Sequence, residues 1–193
     1  MPADKVAHQV TSDDLVSSAA VLAERMVAPL GQRWSHVQAV AARARSLSLA
    51  VAIQDRNTLV ASAWLHDIGY SHEINYTGFH PLDGARFLRH EGWPDVIVNL
   101  VAHHSGARFE AEQRGMSTEL EEFPFMDSAL LDALVVADLT TGPQGQSLSY
   151  DGRIQEILQR YPEGDPVHET WIVAAPILKG SVLRVESRLA EVG

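Results

Sequence analysis

No cysteine occurs among the 193 residues, which excludes a disulfide framework, a thiolate metal site and a cysteine nucleophile together. Any transition metal held here must take histidine, aspartate or glutamate as ligands. Positive charge is also scarce: 15 Lys and Arg stand against 25 Asp and Glu, a formal net charge of −10. That balance argues against a polynucleotide partner, whose phosphates need a basic face, although a small phosphorylated molecule needs only a local cation or two. No uninterrupted apolar run approaches the roughly 18 residues that span a bilayer, so no membrane partner is expected. The opening MPADKVAHQV lacks a basic start followed by an apolar stretch. No signal peptide is therefore expected, and the cytoplasm is the expected location.

What is present is an ordinary globular balance, 46% hydrophobic and 21% charged, in a chain about the length of one domain. Apolar positions at 15, 16, 19, 22, 23 and 26 predict a helix over 13–28, with Ser12 or Asp13 as its N-cap. A second helix is expected over the Ala- and Leu-rich stretch 33–52, and a third over 55–69, stopped by Gly69. Pro81 and Pro94 open two more, PLDGARFLRHEG and PDVIVNLVAHHSG. The polar stretch 107–125, with Gly115 and Pro124, reads as a solvated loop that could also shape an entrance. Helices follow in SALLDALVVADLTTG and RIQEILQRY, and a long last one is kinked or split at Pro176. The expectation is one all-α domain over residues 1–193.

Ionisable residues gather where these helices end. SAWLHDIGYSHE, residues 62–73, places His66 and Asp67 side by side as an apolar helix runs out. Asp138 shares a helix face with Leu131, Leu134 and Val135. A buried carboxylate there calls for a cation; taken alone, it could equally be a helix-end residue capped by Thr140, Thr141 or solvent. His36 sits near the start of the second helix, where a lone histidine is commonly a satisfied core residue. His80 stands at a helix entrance. His103 and His104 close the fifth helix, about 100° apart on its surface, so only one of them should enter a given site. His8, His72, His90 and His168 lack comparable context and read as surface or loop residues. Helix ends in a bundle can converge on one pocket, and such a donor set suits Mn, Fe, Zn or Co better than Ca or Mg. Periodicity does not say which of the candidates meet.

In order, the candidates are His36, His66-Asp67, His80, His103 or His104, and Asp138, within QRWSHVQAVAARARSL, ASAWLHDIGY, FHPLDGARFL, VAHHSG and VVADLTTG. This pattern resembles the HD-domain superfamily over about 30–142, with helices from about 151 to 192 packed on that core. The resemblance implies an all-helical fold whose converging helix ends hold one or two divalent transition metals. Iron or manganese is favoured, with zinc, cobalt and nickel allowed. It assigns His36, His66, Asp67 and Asp138 to a first ion. Asp67 would bridge to a second ion held by His80 and His103, with His104 the competing choice. The implied activity is hydrolysis of a small nucleotide or other phosphate ester by metal-activated water. Arg33, one turn before His36, would grip a phosphate oxygen; its plain alternative is a surface arginine. Whichever of His103 and His104 is not a ligand, His104 in the first instance, would protonate the leaving oxygen.

Two rivals share the ligand set. The mixed-valent diiron oxygenases of the same superfamily would also use both His80 and His103, although VAPLGQRWSH lacks the Tyr/Glu pair associated with the phosphonate-cleaving branch. A non-catalytic ligand-binding domain is the third reading, and the intact ligand set weighs against it.

Overall fold

A computed structural model of the chain describes residues 12–192. Ten α-helices appear among them: α1 (Ser12–Val27), α2 (Gln32–Ser46), α3 (Arg56–Leu65), α4 (His80–His90), α5 (Asp95–His103), α6 (Ala107–Arg114), α7 (Ser117–Leu120), α8 (Ala129–Leu139), α9 (Tyr150–Arg160) and α10 (Pro166–Val192). No strand occurs among the described residues; the nearest thing is an isolated bridge between Thr141 and Ser147. None of these helices is long and apolar enough to cross a membrane. The side chains of Ser12 and Asp13, and so the expected N-cap, lie outside the described residues, as does His8.

The core sits around α8, where every residue from Leu130 to Leu139 is buried. A helix apolar on one face would be exposed on the other; this one is enclosed by α2, α3, α5, α9 and α10. Ser128 caps its start, accepting the Leu131 N–H at 3.2 Å. On the far side, α1 packs along α3 through small residues, with Ala19, Ala23 and Ala61 all fully buried. The apolar residues of α9 and α10, among them Ile157, Trp171 and Leu178, share one cluster with Val40, Leu59 and Leu134. Fully buried leucines such as Leu59 and Leu65 each contribute about 1.5–3 kcal/mol.

Several expectations need correction. The helix expected over 33–52 ends at Ser46. There the Ser46 hydroxyl bonds Arg43 O at 2.7 Å and Leu47 N–H is shared between Arg43 O and Ala44 O, tightening the chain into a short 3₁₀ turn. The third helix ends at Leu65, short of Gly69, which lies in a 3₁₀ turn over 68–70. Most of 107–125 is not a loop: residues 107–114 and 117–120 form α6 and α7, and the stretch from 121 to 125 is irregular. The signal there is weak because alanines, Ala107 and Ala111, supply the buried face, while Gly115 in the left-handed region (φ 67°) closes α6. Finally, α10 runs unsplit through Pro176. The carbonyl that proline leaves unpaired belongs to exposed Ile172, where water can satisfy it.

Candidate metal centre

Six side chains from five helix ends meet at one place. His36 comes from the second turn of α2, His66 and Asp67 from the end of α3, His80 from the start of α4, His104 from just beyond α5, and Asp138 from the last turn of α8. Asp67 is central. Its Oδ2 lies 3.4 Å from His66 Nε2 and 3.8 Å from His36 Nε2, while Oδ1 lies 3.4 Å from His80 Nε2 and 3.9 Å from His104 Nε2. Asp138 Oδ1 faces His36 Nε2 at 3.0 Å and His66 Nε2 at 3.9 Å. Two groups with the spacing to hold a cation result, His36–His66–Asp67 and Asp67–His80–His104, with the Asp67 carboxylate in both.

Local backbone geometry sets these positions. Asp83 accepts the Thr77 N–H and hydroxyl at 3.0–3.1 Å, tying the preceding loop to α4 and fixing where His80 enters. Gly69 lets the turn after the doublet lie against that helix start. A Cβ at Gly69 would stand 2.0 Å from His80 O and 2.7 Å from Gly84 N. Its role is close approach, not the helix stop expected of it.

The donor inventory shows that the cluster fits a cation. Nδ1 of His36, His66 and His104 faces a backbone carbonyl, Gly142 O at 3.0 Å, Ala63 O at 2.8 Å and Val101 O at 2.7 Å. Each of these nitrogens must therefore carry the proton, which in His66 and His104 turns the Nε2 lone pair inward, while His36 Nε2 faces Asp138 Oδ1 at 3.0 Å and shares a proton with it. His66 Nε2 is buried and has no hydrogen-bond partner. His80 and His104 point Nε2 at Nε2, 3.2 Å apart. Burial pushes His66 and His80 towards the neutral ring, His80 strongly. Burial acts the same way on His36, but its hydrogen bond to Asp138 and the nearby carboxylates outweigh that and raise it. Both carboxyls would rise on burial alone. The rings around them, joined by Arg33 at Asp67, hold both well below the usual range. Lone pairs and carboxylates thus face one another across a buried centre, a set that needs positive charge to be stable.

Arg33 supplies part of it, donating from Nη1 to Asp67 Oδ2 at 2.8 Å. Its guanidinium lies 4.0 Å over the Tyr70 ring, which stacks on His80 with centroids 3.9 Å apart. The sequence reading missed Tyr70, although it follows the doublet by three residues. It also missed Ser105, a non-glycine at φ 51° whose hydroxyl bonds Asp138 Oδ2. That left-handed residue carries about 1 kcal/mol of backbone strain.

His103, expected beside His80, does not join the cluster; His104 stands there instead. His103 is the last residue of α5 and turns away, its Nε2 at 2.7 Å from Phe123 O and its ring edge-on to Phe125. At His104 the backbone becomes extended (φ −60°, ψ 150°), which swings that ring back to Val101 O and into the centre. His103 does not line the cavity of the centre, whereas His104 does and faces Asp67. His72 and His90 are exposed as expected, and His168 is half-buried in the first turn of α10, bonding Tyr161 O at 2.8 Å.

The centre opens into a cavity of about 410 Å³, with Arg33, His36, Asp67, His80, His104 and Asp138 in its lining, and α6, α9 and the start of α10 completing it. This is the size of a small-molecule site.

Comparison with known proteins agrees with this geometry. The tRNA (cytidine(56)-2'-O)-methyltransferase of Thermoplasma volcanium is 37% identical over 82 residues, covering 41% of this chain. The match spans only 22% of that relative's own length. No solved structure matches the chain. The family description HD domain matches residues 33–138. That stretch begins at Arg33, ends at Asp138, holds all six side chains of the centre and covers more than half of the chain, which therefore belongs to the HD domain family.

Proposed function

We propose that the chain is a metal-dependent phosphohydrolase acting on a small nucleotide or other small phosphate ester. The observation that carries this reading is the buried, unpartnered Nε2 of His66 facing Asp67, which is itself shared between two ligand groups. His36, His66, Asp67 and Asp138 would hold a first divalent transition metal, and Asp67, His80 and His104 a second, with iron or manganese favoured. When bound, such ions supply Lewis acidity and make water a nucleophile near neutral pH.

The protein's own groups orient the reaction. Arg33 anchors Asp67 through Nη1, and its remaining nitrogens stand at the cavity wall to receive a phosphoryl oxygen. The Ser105 hydroxyl and the His36 ring fix the two oxygens of Asp138. The Nδ1–carbonyl bonds of His36, His66 and His104 lock ring orientation before any ligand arrives. The cavity admits one small ligand, which agrees with the acidic net charge in disfavouring a polynucleotide. The methyltransferase named above is a protein of which this chain matches under a quarter, and its activity is not carried over.

The second ligand group is also what the diiron oxygenase reading requires. Oxygen uptake by iron-loaded protein, without phosphate release, would select it. For the hydrolase, phosphate release from nucleoside monophosphates and simple phosphate esters is measured with added manganese or iron. Asp67→Ala is expected to lose metal and turnover while keeping a helical circular-dichroism spectrum. Phosphate release from that variant at the wild-type rate would rule out the proposed site.

A further inference from the structure

The far part of the cavity is built by α9 and the chain entering α10, beyond the HD match. Arg153 stands in that wall and is only 7% exposed, a rare placement for a guanidinium unless it is fully paired. Its Nη1 bonds the Glu156 carboxylate, but its Nε is buried with no hydrogen-bond partner. Glu156 is not reserved for Arg153. Arg160, also in the lining, donates to it from Nε at 2.9 Å and from Nη2. Two guanidinium groups thus share one carboxylate. Of the other acidic groups in the same region, Glu110 takes Arg114 Nε at 2.7 Å, and neither it nor Asp165, whose Oδ1 takes the Val167 N–H at 2.8 Å, bonds Arg153 or Arg160. A buried charged donor without a partner is unfavourable, so a guanidinium of this kind in a cavity wall marks a place for an anion.

We propose that Arg153, assisted by Arg160, forms a second oxyanion subsite. The substrate would then be a small molecule with a phosphate at the histidine–aspartate centre and a further oxyanion, phosphate or carboxylate, at α9. The first half of that statement rests on the phosphohydrolase reading; the subsite itself does not. Leu139, Ile157 and Trp171 in the same lining suit an apolar or flat portion of such a molecule.

Calorimetric titration of the purified protein, without added metal, tests this with two pairs of probes. Glycerol 3-phosphate is compared with 3-phosphoglycerate, which adds a carboxylate, and adenosine 5′-monophosphate with adenosine 3′,5′-bisphosphate, which adds a phosphate. In at least one pair the doubly anionic member binds about tenfold or more tightly, and the pair that responds identifies the oxyanion. Arg153→Met brings that affinity down to the level of the singly charged partner. Arg160→Gln, at a side chain 36% exposed and so without risk to folding, lowers it several-fold. Equal affinity within both pairs, an increment that survives both substitutions, or no binding of any probe overturns the proposal. Phosphate release with added manganese or iron is followed in parallel. Turnover without the increment removes the subsite and leaves the hydrolase, whereas the increment without turnover removes the hydrolase and leaves the subsite.

Discussion

Three ring nitrogens held against backbone carbonyls orient the rings of the centre: in His66 and His104 each turns a lone pair inward, and in His36 it aims Nε2 at Asp138. At this scale most of the site was legible. His36, His66, Asp67, His80 and Asp138 each fall within about a turn or two of a helix end, where a polar group on an apolar segment stands out. The choice between His103 and His104 was not legible, since it depends on where α5 unwinds. That point is set by backbone at residues 104 and 105, with Ser105 at positive φ, a conformation for which serine gives no sequence signal. The two histidines therefore make a paired prediction. His104→Ala should lose much of the rise in melting temperature that manganese or iron gives the wild type. His103→Ala should keep that rise while losing about 1–3 kcal/mol of stability, through Phe123 O left unpaired. The reverse outcome would return His103 to the centre.

Elements were read well where leucine and valine mark the period and poorly where alanine does. Leucine and valine mark the helical period in 13–28 and SALLDALVVADLTTG, whereas α6, with Ala107 and Ala111 as its buried residues, reads as a loop. Pro176 does not split α10, because proline inside a helix is tolerated when the freed carbonyl faces water. The junction of the doublet turn with α4 is the element contact that matters most for the site. Gly69→Ala would force a methyl into the His80 carbonyl, within van der Waals contact of backbone that cannot rotate away. Separation of the turn from α4 should cost about 1–3 kcal/mol and displace His80 from Asp67. Denaturant unfolding together with metal-binding calorimetry checks both. A variant with wild-type stability and affinity would mean that this close approach does not position the centre.

Across the whole molecule, long-range pairs that no local pattern announces join α10 to the core. Asp132, buried on α8, accepts Arg184 Nε and Arg188 Nη1, each at 2.9 Å, across 52 and 56 residues of sequence. With the apolar cluster shared by α8, α9 and α10, this supports our proposal that the HD core and the C-terminal helices act as one domain. Burial alone would raise the Asp132 carboxyl, but hydrogen bonds from Arg184, Ser181 and Arg188 outweigh it and hold it low. A carboxyl lowered in the folded state contributes fully above its unfolded value, about 3.9, and that contribution fades as pH falls through the folded value. Asp132→Asn should therefore be less stable than wild type near neutral pH, with the gap narrowing below about pH 4. A gap of constant size from neutral to acid would show that the ion cluster contributes nothing. The same logic of buried charge governs the metal centre, and elemental analysis of protein loaded with manganese or iron is its most direct test. Two ligand groups sharing Asp67 predict about two ions per chain, with most of the metal lost in His66→Ala. A wild-type protein that takes up no metal, or a His66→Ala variant that keeps all of it, would contradict the account.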